Sequence, residues 1–173
     1  FTTAELISQC PSYLSTNPKL IICEGKSERG QDLNTLIKGN APHEFIEELD
    51  SNDPAAILYT SGTTGFPKGA TLSHANVISN IHSFNYNCNM KPSDKALLFL
   101  PLFHCFGQNA IMNACINIGA TLVLHRGFHP EKIVDSILKD KVSLFFAVPT
   151  IFMALLDKVT PQQMQGIHYY FSA

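Results

Sequence analysis

Tryptophan is absent from the 173-residue chain, and residues of either charge sign are scarce. Charged residues make up 15% of the chain, against roughly a quarter in an ordinary soluble domain. The formal net charge is −2, so there is no basic excess to bind nucleic acid or an anionic membrane. Hydrophobic residues make up 45%, which is enough for a buried core and excludes an intrinsically disordered chain.

The five cysteines are odd in number and include no Cys-x-x-Cys pair. They are Cys10, Cys23, Cys88, Cys105 and Cys115, and most of them lie among apolar residues. A disulfide scaffold or a structural zinc site needs cysteines in a paired pattern. The first residues carry neither a basic start nor a long apolar run, so we do not expect them to form a signal peptide. We therefore expect reduced, buried thiols in an intracellular protein of the cytoplasm.

Two long stretches lack any Asp, Glu, Lys or Arg: one lies between Lys68 and Lys91, the other between Lys95 and Arg126. A surface helix needs a polar face, so these stretches should be covered on several sides. Ala96–His125 is long enough to cross a bilayer, but Pro, Gly, His, Asn and Gln interrupt it. We expect a buried strand–loop–helix–strand there and no membrane span.

Short apolar runs alternate with helical patterns along the chain. Strands are predicted at Leu20–Cys23, Ala55–Tyr59, Ala70–Leu72, Ala96–Leu100, Thr121–Leu124, Ser143–Ala147 and Ile167–Phe171, with Ala55–Tyr59 buried. Helices are predicted at Phe1–Pro11, after Ser73, at Phe106–Ile118, from Pro130 and at Thr150–Lys158. This order, with uniformly apolar strands, predicts an α/β fold with a largely parallel sheet and helices on both faces.

Several residues predict how the helices begin, end and pack. Ser73 is the expected N-cap of one helix and Gly119 the C-cap of another, while Pro130 suits a first helical position. Apolar stripes should face the core at Val77, Ile78, Ile81, Phe84 and Cys88, and again at Ile133, Val134, Ile137 and Leu138. Residues 24–54 are polar and lack periodicity, so we expect a surface excursion with one helical turn near His43–Leu49.

The segment Tyr59–Gly69 follows directly on a predicted strand and has the sequence Tyr-Thr-Ser-Gly-Thr-Thr-Gly-Phe-Pro-Lys-Gly. Its glycines allow backbone N–H groups to point inward and form an anion-binding concavity. Its hydroxyl groups can donate to phosphate oxygens or bind at a hydrated Mg²⁺. Lys68 adds a mobile cation for phosphate. The alternative interpretation is an ordinary surface turn. Such a turn does not need glycines, several hydroxyl groups and a lysine together, so the sequence favours a phosphate-binding loop.

A related phosphate-binding motif is excluded by two positions. The P-loop of NTPases has Gly immediately before its Lys and Ser or Thr immediately after it. Here Pro67 precedes Lys68 and Gly69 follows it. The segment is therefore a phosphate-binding loop of another kind.

Tyr59–Gly69 and its continuation to Asn76 resemble the signature loop of the acyl-adenylate-forming enzymes. That superfamily includes acyl-CoA synthetases, luciferases and the adenylation domains of peptide synthetases. Three further stretches agree with it: Leu100–His104, Gly119–Leu124 and Val148–Phe152. The resemblance covers nearly the whole chain and is firmest from Asp53 to Ala173.

The resemblance implies that a carboxylic acid, fatty or aryl, reacts with ATP to give acyl-AMP and pyrophosphate, after which the acyl group passes to a thiol such as CoA. It implies that the following residues hold the β- and γ-phosphates: Thr60, Ser61, Gly62, Thr63, Thr64, Gly65 and Lys68. Thr60 would also help bind Mg²⁺, and Lys68 would act in catalysis. Oriented N–H groups, hydroxyls and a cation are suited to stabilise a departing pyrophosphate.

His104 comes after a predicted strand and Pro101, which places it at the carboxyl edge of the sheet. In the family, the His at this position lines the acyl pocket near the carboxylate, so the resemblance implies a catalytic and substrate-contacting role for His104. Phe103 and Gly107 are further candidates for substrate contact, and Phe106 and Gln108 are further candidates for lining the pocket or its channel.

Two other histidines, His125 and His129, suggest a metal pair by their spacing. Pro130 starts a helix directly after them, and no Cys or carboxylate completes a site. We therefore expect no metal site at this pair.

The family's adenine and ribose motifs and its small C-terminal domain with a reactive Lys have no counterpart in the sequence. We expect the chain to be a central fragment of the large N-terminal domain, inactive alone, with residues 1–54 peripheral and residues 55–173 forming the regular β/α portion. Two alternatives stay open: an acyl-AMP ligase or adenylation domain that loads the phosphopantetheine arm of a carrier protein, and a non-catalytic nucleotide-binding paralogue. The oligomeric state is not predicted.

Overall fold

A computed structural model describes residues 2–9, 21–28, 30–40, 47–62 and 65–173 of the chain. The chain divides into two compact units, Phe1–Glu48 and Leu49–Ala173. The predicted change from an irregular to a regular pattern, at residues 54 and 55, falls close to this boundary.

The first unit contains a small parallel sheet and two short helices. Its elements are β1 (Thr2–Thr3), α1 (Ala4–Gln9), β2 (Ile21–Glu24), β3 (Gln31–Asp32) and α2 (Leu33–Gly39), with β2 paired to both other strands. The sequence does not predict α2, because none of the helix's residues is buried and it therefore has no apolar stripe. Its N-cap is Asp32, whose side chain accepts from the Thr35 amide at 2.9 Å. Most of the predicted turn at His43–Leu49 lies outside the described residues.

The second unit is built on a parallel sheet. Its elements are β4 (Pro54–Thr60), β5 (Lys68–Ser73), α3 (His74–Asn87), β6 (Lys95–Leu98), a π-helical segment (Phe106–Asn113), α4 (Ala114–Ile118), β7 (Thr121–Leu124), α5 (Pro130–Lys139), β8 (Leu144–Ala147), α6 (Pro149–Leu155) and β9 (Tyr169–Ser172). The last four strands form one sheet in the order β7-β6-β8-β9, and every pairing in it is parallel. The predicted α/β fold is confirmed.

Helices cover both faces of this sheet. Successive side chains of a strand point to opposite faces, so each central strand contributes to two cores. One core joins the sheet to α3, the π-helical segment and α4, and includes Ala96, Leu98, Leu144 and Phe146. The other joins it to α5 and α6, and includes Leu97, Phe99, Phe145 and Ala147. All of β8 is buried, which explains its uniformly apolar sequence.

The interpretation of Ala55–Tyr59 as a buried strand is wrong. Among the described residues, β4 pairs only with β5, in an antiparallel hairpin separate from the parallel sheet. Ile57 is 57% exposed and Tyr59 is 73% exposed. An apolar run alone does not distinguish a strand enclosed by neighbours from one half of a hairpin.

Most helix boundaries follow the predicted signals. Ser73 caps α3 in a capping box: its hydroxyl accepts from the Asn76 amide at 3.3 Å, and its own amide donates to the Asn76 side chain at 3.1 Å. Gly119 ends α4 in the left-handed region, with φ 74°. Two residues predicted to face inward are about half exposed, Ile78 at 44% and Leu138 at 50%, because each lies at the edge of its stripe.

The cysteines are divided between core and surface. Cys88 and Cys115 are buried, and burial raises the pKa of Cys88 and raises that of Cys115 to about 12. Cys23 and Cys105 are exposed, so the expectation of buried thiols does not hold for them. Cys10 lies outside the described residues. In the part of the chain that the structure describes, no helix has the length and apolar character needed to cross a membrane.

A buried carboxylate links β6, β8 and β9 at their amino ends. Asp94 is 4% exposed. Its oxygens accept hydrogen bonds from the Ser143 hydroxyl, from His168 Nε2 and from the Lys91 backbone N–H, each at 2.8 Å. Burial acts to raise the pKa of Asp94, but these hydrogen bonds outweigh burial and hold the pKa below its ordinary value.

Replacing Asp94 with Asn is expected to lower the free energy of unfolding by about 2–3 kcal/mol at neutral pH, because an amide cannot accept all three hydrogen bonds. Urea unfolding measures this, with Asp135→Asn on the exposed face of α5 as the matched control. Since the pKa of Asp94 is lowered in the folded state, its stabilisation is present above the ordinary carboxyl pKa and is lost as pH falls through the folded value. The difference between wild type and Asp94→Asn should therefore shrink below about pH 4; a constant difference would contradict this account.

Candidate active site

The two ends of the predicted phosphate loop meet across the β4–β5 hairpin. Thr60, the last residue of β4, lies directly opposite Lys68, the first residue of β5. Directly opposed residues of an antiparallel pair project from the same face, with Cβ atoms about 5 Å apart. The hairpin therefore places a hydroxyl and a cation side by side at the base of the loop.

The loop backbone adopts conformations that favour glycine at two positions. Gly62 has φ 57° and Gly65 has φ 84°, and the Gly65 amide donates to the Gly62 carbonyl at 3.4 Å. A Cβ atom on Gly62 would overlap the Phe66 carbonyl oxygen, whereas one on Gly65 would meet open space. The close approach at Gly62 gives the loop a tight turn that a larger residue would open.

The chemistry of the loop suits a phosphate group. Ser61 and Lys68 are exposed, and Lys68 forms no ion pair with any residue that the structure describes. An unpaired cation beside hydroxyl donors is free to bind an anion from solvent. Thr63 and Thr64 lie outside the described residues, so only five of the predicted phosphate contacts have a described position.

His104 lines a cleft of about 960 Å³ in the second unit. The hairpin contributes one wall, with Ala55, Leu58 and Leu72, and the opposite wall comes from α3 and the π-helical segment. None of the described loop residues from Thr60 to Lys68 is among the lining residues. The cleft therefore lies at the base of the hairpin, away from the tip of the loop.

The His104 ring is oriented by the backbone that follows it. Its Nδ1 accepts a hydrogen bond from the Phe106 N–H at 3.1 Å. An imidazole nitrogen that accepts carries no proton, so the proton of the neutral ring lies on Nε2. This tautomer is assigned from the hydrogen bond, and it makes Nε2–H the ring's available donor.

Two other candidates for substrate contact do not line the His104 cleft. Phe103 is 88% exposed and borders a second cleft, of about 680 Å³, together with His125 and Arg126. Gly107 is buried, and a Cβ atom on it would meet the carbonyl oxygens of Leu100 and Pro101 at 3.1 and 2.7 Å. The structure thus gives Gly107 a packing role in the segment that carries His104.

The predicted helix at Phe106–Ile118 begins with a π-helical segment, Phe106–Asn113. π-Helical segments are rare in proteins, and those that occur are often located at functional sites. This geometry could not be read from the sequence. The segment contributes three polar residues to the lining of the cleft, Gln108, Asn109 and Asn113. Of these, only Gln108 was a sequence-based candidate for the pocket; the two asparagines appeared in the sequence merely as amides in a charge-free stretch.

The described residues contain no cluster of three or more His, Cys, Asp or Glu side chains that could hold a metal ion. His125 contacts the Ser136 hydroxyl through Nε2 at 2.9 Å.

The family model of the AMP-binding enzymes matches residues 4–172. The chain belongs to the AMP-binding enzyme family. The resemblance found in the sequence is thereby confirmed over nearly the whole chain.

Members of the AMP-binding family resemble this chain in both sequence and structure. The chain is 32% identical to the human mitochondrial medium-chain acyl-CoA ligase ACSF2, over 86% of this chain and 28% of that protein. ATP-bound MatB from Rhodopseudomonas palustris superimposes with a TM-score of 0.67 and 32% identity, over 72% of this chain and 25% of MatB. The O-succinylbenzoate coenzyme A synthetase MenE from Bacillus subtilis, in complex with AMP, gives a TM-score of 0.76 and 27% identity, over 100% of this chain and 46% of MenE.

The chain spans about a quarter of the length of the curated relatives that it matches, from 21% to 28%. Because the human relative is described as mitochondrial, the cytoplasmic location stays a prediction for this chain. The AMP-binding family accounts for the fold and for the general reaction class of these relatives.

Proposed function

We propose that the chain supplies the phosphate-binding loop and part of the acyl pocket of an ATP-dependent acid–thiol ligase. The reaction joins a fatty or aryl carboxylate to AMP, releases pyrophosphate and then transfers the acyl group to CoA. The observation that carries the proposal is the pairing of Thr60 with Lys68 across the hairpin that bears the glycine-rich loop. A segment of a longer ligase is in accord with the share of the curated relatives that the chain matches, about a quarter of their length.

In this proposal the loop binds the β- and γ-phosphates. Lys68 and the hydroxyls of Thr60 and Ser61 compensate the charge that grows on pyrophosphate as it leaves. Thr63 and Thr64 would add two further hydroxyls. The positive φ values of Gly62 and Gly65 permit backbone N–H groups to turn toward an anion. Thr60 would help hold Mg²⁺, which neutralises phosphate oxygens when bound.

His104 would orient the acid. Because Nδ1 accepts from the Phe106 amide, Nε2–H can donate to a carboxylate oxygen of an acid in the cleft. Such a hydrogen bond fixes the attacking oxygen and favours the in-line displacement at the α-phosphate.

Product analysis tests the proposal on the natural polypeptide that contains these residues. With acid, MgATP and CoA, we expect AMP, pyrophosphate and acyl-CoA in equal amounts, and none of them without the acid. Formation of ADP and phosphate would contradict adenylation. If acyl-AMP forms and no acyl-CoA appears, but the acyl group is transferred to an added carrier protein, the acceptor is a phosphopantetheine arm and not free CoA.

The loop glycines provide a separate prediction. Gly62→Ala should raise the KM for ATP about 10-fold or more, because the new methyl group overlaps the Phe66 carbonyl and forces the turn open. Gly65→Ala is the matched control: it carries the same left-handed strain but meets open space, so we expect a change of only a few fold. Equal effects of the two substitutions would contradict a tight loop at Gly62.

A further inference from the structure

Three asparagines form a hydrogen-bonded chain on one wall of the His104 cleft. Asn109 Nδ2 donates to Asn80 Oδ1 at 2.8 Å, and Asn113 Nδ2 donates to Asn109 Oδ1 at 3.1 Å. Asn80 belongs to α3, the other two belong to the π-helical segment, and all three line the cleft. This row of hydrogen-bonded asparagines therefore extends from α3 to the π-helical segment along the surface of the cleft.

Contacts other than these asparagine hydrogen bonds also hold the helices together. Asn85, which is buried, donates through Nδ2 to the Ala114 carbonyl and to Asn117 Oδ1, each at 3.2 Å. Ile81 and Ile111 lie in the same hydrophobic core. These buried contacts attach α3 to the π-helical segment and α4, whereas the Asn80–Asn109 pair is exposed at the cleft.

The three asparagines retain hydrogen-bond donors and acceptors that they do not use among themselves. Each amide side chain has two N–H donors and an oxygen with two acceptor sites. The Asn80 amide nitrogen and the Asn113 amide oxygen, at the two ends, have no hydrogen-bond partner among the described residues. Elsewhere the cleft is lined largely by aliphatic and aromatic side chains, including Leu58, Val77 and Phe84.

We propose that Asn80, Asn109 and Asn113 select a carboxylic acid that bears a second, uncharged polar group, such as a hydroxyl, keto or amide group. The inference rests on the proposed function, since it takes this cleft as the acyl pocket. A plain alkyl chain would displace water from these amides without replacing the hydrogen bonds that the water makes. A site built to hydrogen-bond a polar group of its substrate discriminates strongly against analogues that lack that group. A second charged group would find no Lys, Arg, Asp or Glu among the described lining residues.

The test compares pairs of acids of equal chain length, unsubstituted and hydroxylated at successive positions, in ATP–pyrophosphate exchange by the natural polypeptide. For at least one position we expect kcat/KM to be about 10-fold or more higher for the hydroxy acid. Asn109→Leu and Asn80→Leu should reduce that preference to near one. Asn87→Leu, at an exposed position of α3 outside the cleft, is the matched control and should leave the preference unchanged.

The outcomes separate this inference from the proposed function. Preference for the unsubstituted acid at every position, or an unchanged preference in both variants, would overturn the inference while the ligase activity stands. Absence of exchange with every acid would overturn both. Asn80 is exposed, so Asn80→Leu keeps the test valid if Asn109→Leu unfolds, and thermal unfolding of each variant identifies that case.

Discussion

Lys68→Ala is expected to lower the rate of adenylation by about 100-fold, with little change in folding stability. The residue is exposed, forms no ion pair with a described residue and lies opposite Thr60 at the base of the loop. Removing one preorganised donor from a developing negative charge has effects of this size. Initial rates of pyrophosphate exchange at saturating acid measure the change.

Two further variants define the reason for that loss. Lys132→Ala removes an exposed lysine from α5 and should leave the rate unaltered. Lys68→Arg retains the positive charge and should keep a larger part of the activity than Lys68→Ala, although a guanidinium does not match an ammonium in shape. An unchanged rate for Lys68→Ala would show that the loop does not act on phosphate through this cation.

His104→Ala is expected to reduce kcat/KM for the acid about 100-fold while the KM for ATP changes by less than about 3-fold. The variant lacks the Nε2–H donor that orients the acid. The KM for ATP changes little because His104 lies in the cleft, which none of the described loop residues lines. Steady-state kinetics with each substrate varied in turn separates the two effects.

A matched control for this variant is His82→Ala, which removes an exposed histidine from α3. It should leave both constants unchanged. A large rise in the KM for ATP with an unaltered KM for the acid would move His104 from the acyl pocket to the nucleotide site.

The parallel sheet could be predicted from the sequence because its strands and helices obey strong local rules. β8 is apolar throughout since it is buried on both faces, and α5 shows a clear stripe after Pro130. Ser73 and Gly119 determine helix ends through hydrogen bonding and backbone conformation, which are properties of a few neighbouring residues.

Features that depend on distant contacts could not be predicted. The sequence of β4 is as apolar as that of a core strand, yet its partner is β5 and its side chains are largely exposed. The helix α2 has no buried residue and so no periodic signal. Likewise, no local pattern predicts that Asp94 connects to His168 across the sheet.

The candidate site divides in the same way. The loop residues are consecutive, so their phosphate-binding chemistry could be predicted from the sequence. The pairing of Thr60 with Lys68 across the hairpin is seen only in the structure. The cleft is assembled from separate elements, so Phe103 and Gly107 were grouped with His104 by adjacency alone. The structure instead associates His104 with Asn80 and Asn109, which neither spacing nor composition connects.

Carboxylate-dependent ATP–pyrophosphate exchange by the natural polypeptide, across short, medium, long-chain, aryl and amino acids, tests the central claim most directly. The account predicts exchange with one class of acid, abolished when the acid is omitted and reduced about 100-fold by Lys68→Ala. ATP binding without exchange for any acid would contradict it and would leave the loop as a nucleotide-binding site without adenylation.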